Sequence, residues 1–370
     1  MNNKKLGFGL MRLPMNGDKV DVEQCQEMVD AYLEKGFTYF DTAWMYCNFQ
    51  SEEATREFLV KRHPRESFTL TTKLHASFLH SMEDRDKIFN AQLEKTGVQY
   101  FDYYWLHDVN SHSIEVYNQL DCFNWLMEKK KQGLVKHIGF SFHDNAELLE
   151  EVLTAHPEFE YVQLQMNYLD WESPAIQSRL CYEVACKHKV PVIVMEPVKG
   201  GTLANVPEEA ERLMKDYNPS ASVSSWAIRF VASLPNVYMV LSGMSNMEQV
   251  KDNIGYMADL KPINEEERAI IEKCVKIING SIAISCTGCE YCVEGCPKQI
   301  PIPKCFSLYN ADQQEADGKG WTPQGEYYDN LVKNTGKASD CIACGQCEGI
   351  CPQHLPIIQH LKTVAEYFGK

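Results

Sequence analysis

The chain has 370 residues, of which 44% are hydrophobic and 15 are cysteine, with a formal net charge of −15. That length points to two domains with ample core, and the acidic balance argues against nucleic acid or anionic membrane as partners. No apolar run is long enough for a signal peptide or a membrane span, so a cytoplasmic location is expected.

From the N-terminus, short runs rich in β-branched and aromatic residues alternate with amphipathic stretches. The strand candidates are 6–11, 37–43, 68–74, 101–107, 136–142, 161–167, 191–197 and 237–243. The helix candidates between and after them are 22–36, 51–63, 84–97, 114–133, 145–157, 176–189, 221–235 and 246–257. Ser51 followed by two acids reads as a helix start, and Gly97 and Gly133 read as helix stops. Eight strand–helix units in strict alternation predict parallel strands closed into an α/β (β/α)8 TIM barrel. No strand is followed by GxGxxG, which weighs against a doubly wound dinucleotide fold. One more helix is expected at 263–280, and Asn279-Gly280 then marks a boundary. The expected domains are therefore 1–280 and 281–370.

The tail repeats one spelling. Cys286, Cys289, Cys292 and Cys296-Pro297 are spaced as Cys341, Cys344, Cys347 and Cys351-Pro352. Three thiolates at this spacing wrap one corner of a cubane, and in the two-cluster pattern the fourth reaches across to the other cluster. Cys286, Cys289, Cys292 and Cys351 are thus expected on one [4Fe–4S] cluster, and Cys341, Cys344, Cys347 and Cys296 on the second. Zinc, the rival for CxxC pairs, is not ordinarily bound by two runs of four each ending in proline. The 44 residues between the runs, and helical patterns at 303–314 and 356–368, point to a small, mostly α-helical two-cluster ferredoxin-like domain. The other seven cysteines read as packed thiols in a reducing compartment.

Chemistry in such barrels sits where strands end at the C-terminal face. Asp41, Lys73 and His107 close the second, third and fourth strand candidates, and Tyr46 follows five residues after Asp41. Singly, each has an ordinary alternative as a cap, a surface charge, a core histidine or a packed ring. Together they form a proton-delivery set. Asp41 anchors Lys73, the ammonium lowers the Tyr46 pKa, and His107 orients a carbonyl oxygen. His75, His80 and His143 read as surface or supporting residues, Cys47 as a packed thiol, and Trp44 and Phe49 as candidate pocket walls.

The text FDTAWMY (40–46), TTKLH (71–75), DYYWLHD (102–108), HIGFSFHD (137–144), YVQLQMNY (161–168), VMEPVKGG (194–201) and SGMSNMEQVKDN (242–253) resembles the aldo-keto reductase superfamily. The whole chain is similar to its branch with a C-terminal 4Fe–4S ferredoxin domain. The resemblance implies NAD(P)H-dependent reduction of aldehydes and ketones, with hydride from nicotinamide and a proton from Tyr46. It implies carboxamide contacts from Ser141 and Gln163, with Asn167 close by. It also implies a pyrophosphate loop at Lys199, Gly200 and Gly201, and adenine contacts from Asp252 and Asn253. Two departures stand out: Met195 takes the place of a stacking tyrosine, and Gly243 and Gln249 replace the cations that grip a 2′-phosphate. Ser245 is left to bond a phosphate or a ribose hydroxyl, so NADH and NADPH both stay open. The expected partners are a small carbonyl substrate and a redox protein that exchanges electrons with the clusters.

Hydride carries two electrons and each cubane takes one, so two other readings stand beside the first. One is an NAD(P)H-coupled electron-transfer protein with an unrecognised flavin or a partner acceptor. The other is a non-catalytic redox-sensing or regulatory module. The 298–340 insertion reads as a cover for a cluster or a dock for a partner.

Overall fold

The computed structural model describes residues 4–174, 176–280, 283–284, 286, 288, 290–313, 322–351 and 355–369, with Tyr291 and Glu294 as backbone only. Cys289 and Pro352 lie outside the described residues. By internal contacts the chain forms two compact units. The first is Met1–Asn167, Arg179–Pro197 and Ser224–Asn264; the second is Tyr168–Ser178, Val198–Val223 and Glu265–Lys370.

Among its described residues the first unit carries ten strands: β1 Leu6–Gly9, β2 Met15–Asn16, β3 Lys19–Val20, β4 Tyr39–Asp41, β5 Thr69–His75, β6 Phe101–Val109, β7 Val135–Phe142, β8 Tyr161–Gln165, β9 Val192–Met195 and β10 Val237–Gly243. Eight of them close a barrel in the order β1-β10-β9-β8-β7-β6-β5-β4, every pairing parallel. This is the barrel expected from the alternation, with each strand inside or within two residues of its candidate. The extra hairpin, β2 with β3, turns at Gly17, whose φ of 63° suits a residue without Cβ.

The helices start and stop where local chemistry directs. Asp21 accepts from Gln24 N at 3.0 Å to cap Val22–Glu34, and Asn145 accepts from Leu148 N at 3.0 Å to cap Ala146–Ala155. Gly97, at φ 73°, ends Met82–Thr96. The expected helix 114–133 is two helices, Ser113–Gln119 and Cys122–Lys131, because Asp121 takes a left-handed φ of 48°. The stretch 51–63 is α-helical only over Ser51–Thr55 and then widens into a π-turn, Arg56–Val60. The polar sequence between β9 and β10 hides the helix Glu208–Tyr217, whose acidic first turn suits the positive end of its dipole.

The second unit is helical among its described residues, as expected. Its core gathers Ile302, Phe306, Tyr327, Tyr328, Ile357 and Leu361 with Cys292, Cys347 and Cys351. The helices Ile302–Gln313 and Ile357–Phe368 fall where their patterns put them, and Pro323–Leu331 adds a third within the 298–340 insertion. Among the described residues no helix is long and apolar enough to cross a membrane.

Candidate active site

The carboxyl ends of β4, β5 and β6 bring four expected side chains together. Lys73 is fully buried, and its ammonium donates to Asp41 Oδ1 at 2.5 Å and to Thr42 O at 2.8 Å. The Tyr46 hydroxyl is 3.3 Å from the same nitrogen. His107 meets the Tyr46 ring edge-to-face, with centroids 5.8 Å apart. An unpaired ammonium at this depth would be neutralised by desolvation. Burial does oppose the charge on Lys73, but the Asp41 carboxylate and the Tyr46 phenol outweigh it, and the ammonium is held cationic above its usual range.

The ammonium does pull the Tyr46 phenol down, as expected, but burial is the larger cause, so the phenol rises above 10.0 and keeps its proton. His107 is held well below 6.5, by burial first and then by His75, Lys73 and His143. It is a neutral imidazole.

The backbone that aims these groups departs from regular structure. β6 slips register against β7 between Leu106 and Val109, with Asp108 at φ 58°. Bulges re-aim side chains beside active sites, and this one sits at His107. After Tyr46, Cys47, Asn48 and Phe49 run at φ 50°, 53° and 66°, a left-handed turn of non-glycine residues. Such strain persists only where the surroundings enforce it. Outside β5, Gln92 donates to Lys73 O at 2.9 Å and to Glu52 Oε1 at 2.8 Å, and Thr72 donates to Glu52 at 2.7 Å. This buried network fixes the strand segment that carries Lys73.

Of the three histidines read as peripheral, only His80 is exposed. His75 packs edge-to-face on His107 at 5.1 Å, accepts from Ser77 N at 3.1 Å, and stands 3.6 Å from Asp108 Oδ2. His143 is buried. Trp44 and Phe49 meet edge-to-face at 6.3 Å, and Phe49 meets Phe78 at 5.8 Å. The Cys47 thiol lies 3.4 Å from Met11 O and is pushed up by burial, as a packed thiol should be.

Ser141 and Gln163 are buried register neighbours on β7 and β8. Ser141 Oγ accepts from Asp108 N at 2.8 Å, which leaves its proton to donate. Gln163 Oε1 is buried with no partner. A hydroxyl donor beside an orphaned amide oxygen fits a primary carboxamide, the recognition group of nicotinamide. Asn167 Nδ2 bonds Glu196 O at 3.2 Å. Near β10, Ser245 Oγ donates to Arg12 O at 2.7 Å, Ser245 N donates to Gln249 Oε1 at 2.7 Å, and Asn253 Nδ2 bonds Ser242 Oγ at 2.7 Å. Asp252 Oδ2 accepts from Ser224 Oγ at 3.2 Å. Sequence reasoning missed Arg12, whose side chain lies over Gly243, 3.5 Å from where a Cβ would stand there. No motif marks it, because only the fold brings residues 12 and 243 together.

In the second unit, Lys199, Gly200 and Gly201 run at φ 49°, 62° and 108°. The Lys199 side chain is consumed by a buried ion pair with Asp170 at 2.6 Å.

A pocket in the second unit is lined by Cys296, Cys341, Cys344 and Cys347 together with Ile342, Ile358 and Leu361. These are the four cysteines that the spacing groups into one crossed set, brought to one pocket. The two loops share a backbone device. Gly288 and Glu290 flank position 289 at φ 71° and 63°, and Ala343 and Gly345 flank Cys344 at φ 55° and 79°. Ile300 N donates to Cys296 Sγ at 3.5 Å. Among the described residues no three His, Cys, Asp or Glu side chains converge as ligands of a single ion. Four thiols around an apolar pocket suit a cluster, in which each thiolate binds its own iron.

Residues 5–276 match the Aldo/keto reductase family, and residues 285–355 match the 4Fe-4S dicluster domain. The chain belongs to the aldo/keto reductase family, the one its motifs resemble. It is 23% identical over 307 residues, 74% of this chain and 92% of that protein, to "Uncharacterized oxidoreductase YqkF" of Bacillus subtilis (strain 168). It is 34% identical over 107 residues, 26% of this chain and 31% of that protein, to 4-dihydromethyl-trisporate dehydrogenase of Mucor mucedo. Among solved structures, aldo-keto reductase AKR11C1 from Bacillus halodurans in its holo form aligns with a TM-score of 0.57 at 23% identity, covering 73% of this chain and 91% of that one. An aldo-keto reductase from Klebsiella pneumoniae in complex with NADPH aligns at 0.58 and 17% identity, covering 73% and 90%. These structural likenesses speak for the fold.

Proposed function

We propose that this chain is an oxidoreductase that reduces aldehyde or ketone carbonyls with NADPH or NADH, and that its tail carries two [4Fe–4S] clusters. One observation carries the reading. A fully buried ammonium stands 2.5 Å from a carboxylate and 3.3 Å from a phenol at the ends of neighbouring barrel strands, beside a neutral imidazole. That arrangement suits delivering a proton to an oxygen that gains negative charge.

Tyr46 donates its proton to the carbonyl oxygen, and the phenolate left behind is stabilised by Lys73. Asp41 keeps Lys73 charged and fixed. His107, being neutral, polarises the same oxygen without competing for the proton. Ser141, Gln163 and Asn167 hold the carboxamide end of the coenzyme, and Ser245, Gln249, Asp252 and Asn253 serve the adenosine end. When bound, the coenzyme supplies hydride to the carbonyl carbon.

Cys286, Cys289, Cys292 and Cys351 hold one cluster, and Cys341, Cys344, Cys347 and Cys296 hold the other. When bound, each cluster stores one electron at a time. The thiol-lined pocket favours exchange with a redox partner protein over a barrel acting alone. The matched segments, 5–276 and 285–355, support a division into domains 1–280 and 281–370.

The test is an anaerobic screen of aldehydes and ketones with NADH and NADPH, with and without a one-electron acceptor. Tyr46→Phe is expected to lower kcat by about 10²- to 10⁴-fold. A Tyr46→Phe enzyme as fast as wild type removes the proton donor from this scheme. Undiminished iron in Cys344→Ser removes that ligand.

A further inference from the structure

The barrel interior beneath the Asp41–Lys73 pair holds polar atoms that proton delivery does not use. Tyr39 Oη, Asp41 Oδ2, Thr71 Oγ1 and Trp105 Nε1 are all buried, and none has a hydrogen-bond partner. Tyr39 and Asp41 lie on β4, Thr71 on β5 and Trp105 on β6, neighbouring strands of the barrel. Register puts Asp41 beside Thr71, and Lys73 beside Trp105. The Trp105 indole is close enough to ease ionisation of Asp41, and Thr71 stands in the same relation to Tyr39. Neither pair reaches direct hydrogen-bond geometry.

A second observation is independent of the first. Both rings that carry these groups lie over a glycine. Gly139 is the register neighbour of Trp105, and a Cβ there would come within 2.4 Å of the indole Cζ3. Gly7 is the register neighbour of Tyr39, and a Cβ there would come within 3.1 Å of the ring. Branched aliphatic side chains ordinarily fill such interiors. Here Tyr39, Tyr103 and Trp105 pack with Ile193, Met239 and Leu241, and glycines make the room.

We propose that this layer is a binding site for one ordered water, held by Trp105 Nε1, Tyr39 Oη, Thr71 Oγ1 and Asp41 Oδ2. Trp105 and Tyr39 thereby act as positioning residues that fix the Asp41 carboxylate under Lys73. The hydrogen bonds balance. The water accepts from the indole N–H and the phenol O–H, and it donates to the carboxylate and to a lone pair of the threonine hydroxyl. The titratable groups that face Asp41 are Lys73 on β5, Tyr46 in the loop after β4, and Tyr39 on its own strand. The two phenols are neutral at pH 7, so the water is the second donor to a carboxylate otherwise bonded by Lys73.

The test pairs crystallography with kinetics on the full chain. A wild-type crystal that resolves ordered water is expected to show one within hydrogen-bond distance of all four atoms. Trp105→Phe and Tyr39→Phe are expected to lose or displace it. Asp41 then ionises less readily, so the acid limb of the kcat/KM profile for carbonyl reduction moves up by roughly half to one pH unit. A role in packing alone would leave that limb in place. A dry layer in the wild-type crystal, or an unmoved acid limb in both variants, overturns the proposal. The kinetic arm rests on the carbonyl-reductase reading. If Asp41→Asn reduces carbonyls at the wild-type rate, that reading and the positioning role fail together, while the water site is still decided by the electron density.

Discussion

On the proposed reading, Tyr46 works as an acid because burial and a cation pull in opposite directions and burial wins. The phenol is kept protonated above its ordinary range, and the ammonium 3.3 Å away waits to stabilise the anion. The same balance makes Asp41 structural as well as chemical. Asp41→Ala leaves Lys73 buried without its carboxylate, so it is expected to cost about 3–5 kcal/mol in a denaturant titration. His107 gives a pH signature. Its folded pKa lies well below 6.5, so below pH 6.5 the unfolded chain binds a proton that the native chain refuses. Stability from this residue is therefore present above pH 6.5 and lost as the pH falls, at up to about 1.4 kcal/mol per pH unit. His107→Gln is expected to flatten that part of the stability–pH curve, read from Tm between pH 7 and pH 5.

At the scale of elements, backbone irregularities cluster beside the candidate site residues. The β6 bulge, the left-handed turn after Tyr46 and the left-handed Gly288, Glu290, Ala343 and Gly345 all depart from regular backbone. None is legible in the sequence, because residues such as Cys47, Phe49 and Ala343 adopt left-handed φ only under tertiary constraint. The turn after Cys296 shows how tight that constraint is. Gly336 N donates to Gln299 O at 3.1 Å, and a Cβ on Gly336 would stand 2.0 Å from Lys298 O. Gly336→Ala must push the 298–300 backbone away, and with it the approach to Cys296. It is expected to lower both iron content and Tm, measured by iron assay and calorimetry on protein purified without oxygen.

Across the whole molecule, the two units are stabilised differently. The barrel closes its own hydrogen-bond ladders and packs an aromatic and aliphatic interior. The second unit builds its core partly from cysteines that a cluster would bind. Metal binding and folding are coupled in such domains. Removing iron by chelation under air is expected to melt the 285–355 region at a lower temperature, with the barrel melting in its own later transition. A single transition at the wild-type temperature after complete iron loss would show that the tail folds without metal.

By itself, the sequence determined the eight strand–helix units, the family, the tetrad at strand ends and the crossed cysteine spacing. Each depends on local composition or short-range spacing, which a linear string records. The tertiary structure alone decided that Tyr46 rises instead of falling, that His75 backs His107, that Lys199 is consumed by Asp170, and that Arg12 lies over Gly243. It alone decided, too, that glycines on β1 and β7 admit Tyr39 and Trp105 beneath Asp41. Burial, register and close approach are properties of pairs far apart in the chain, and closure of the barrel is what brings those pairs together.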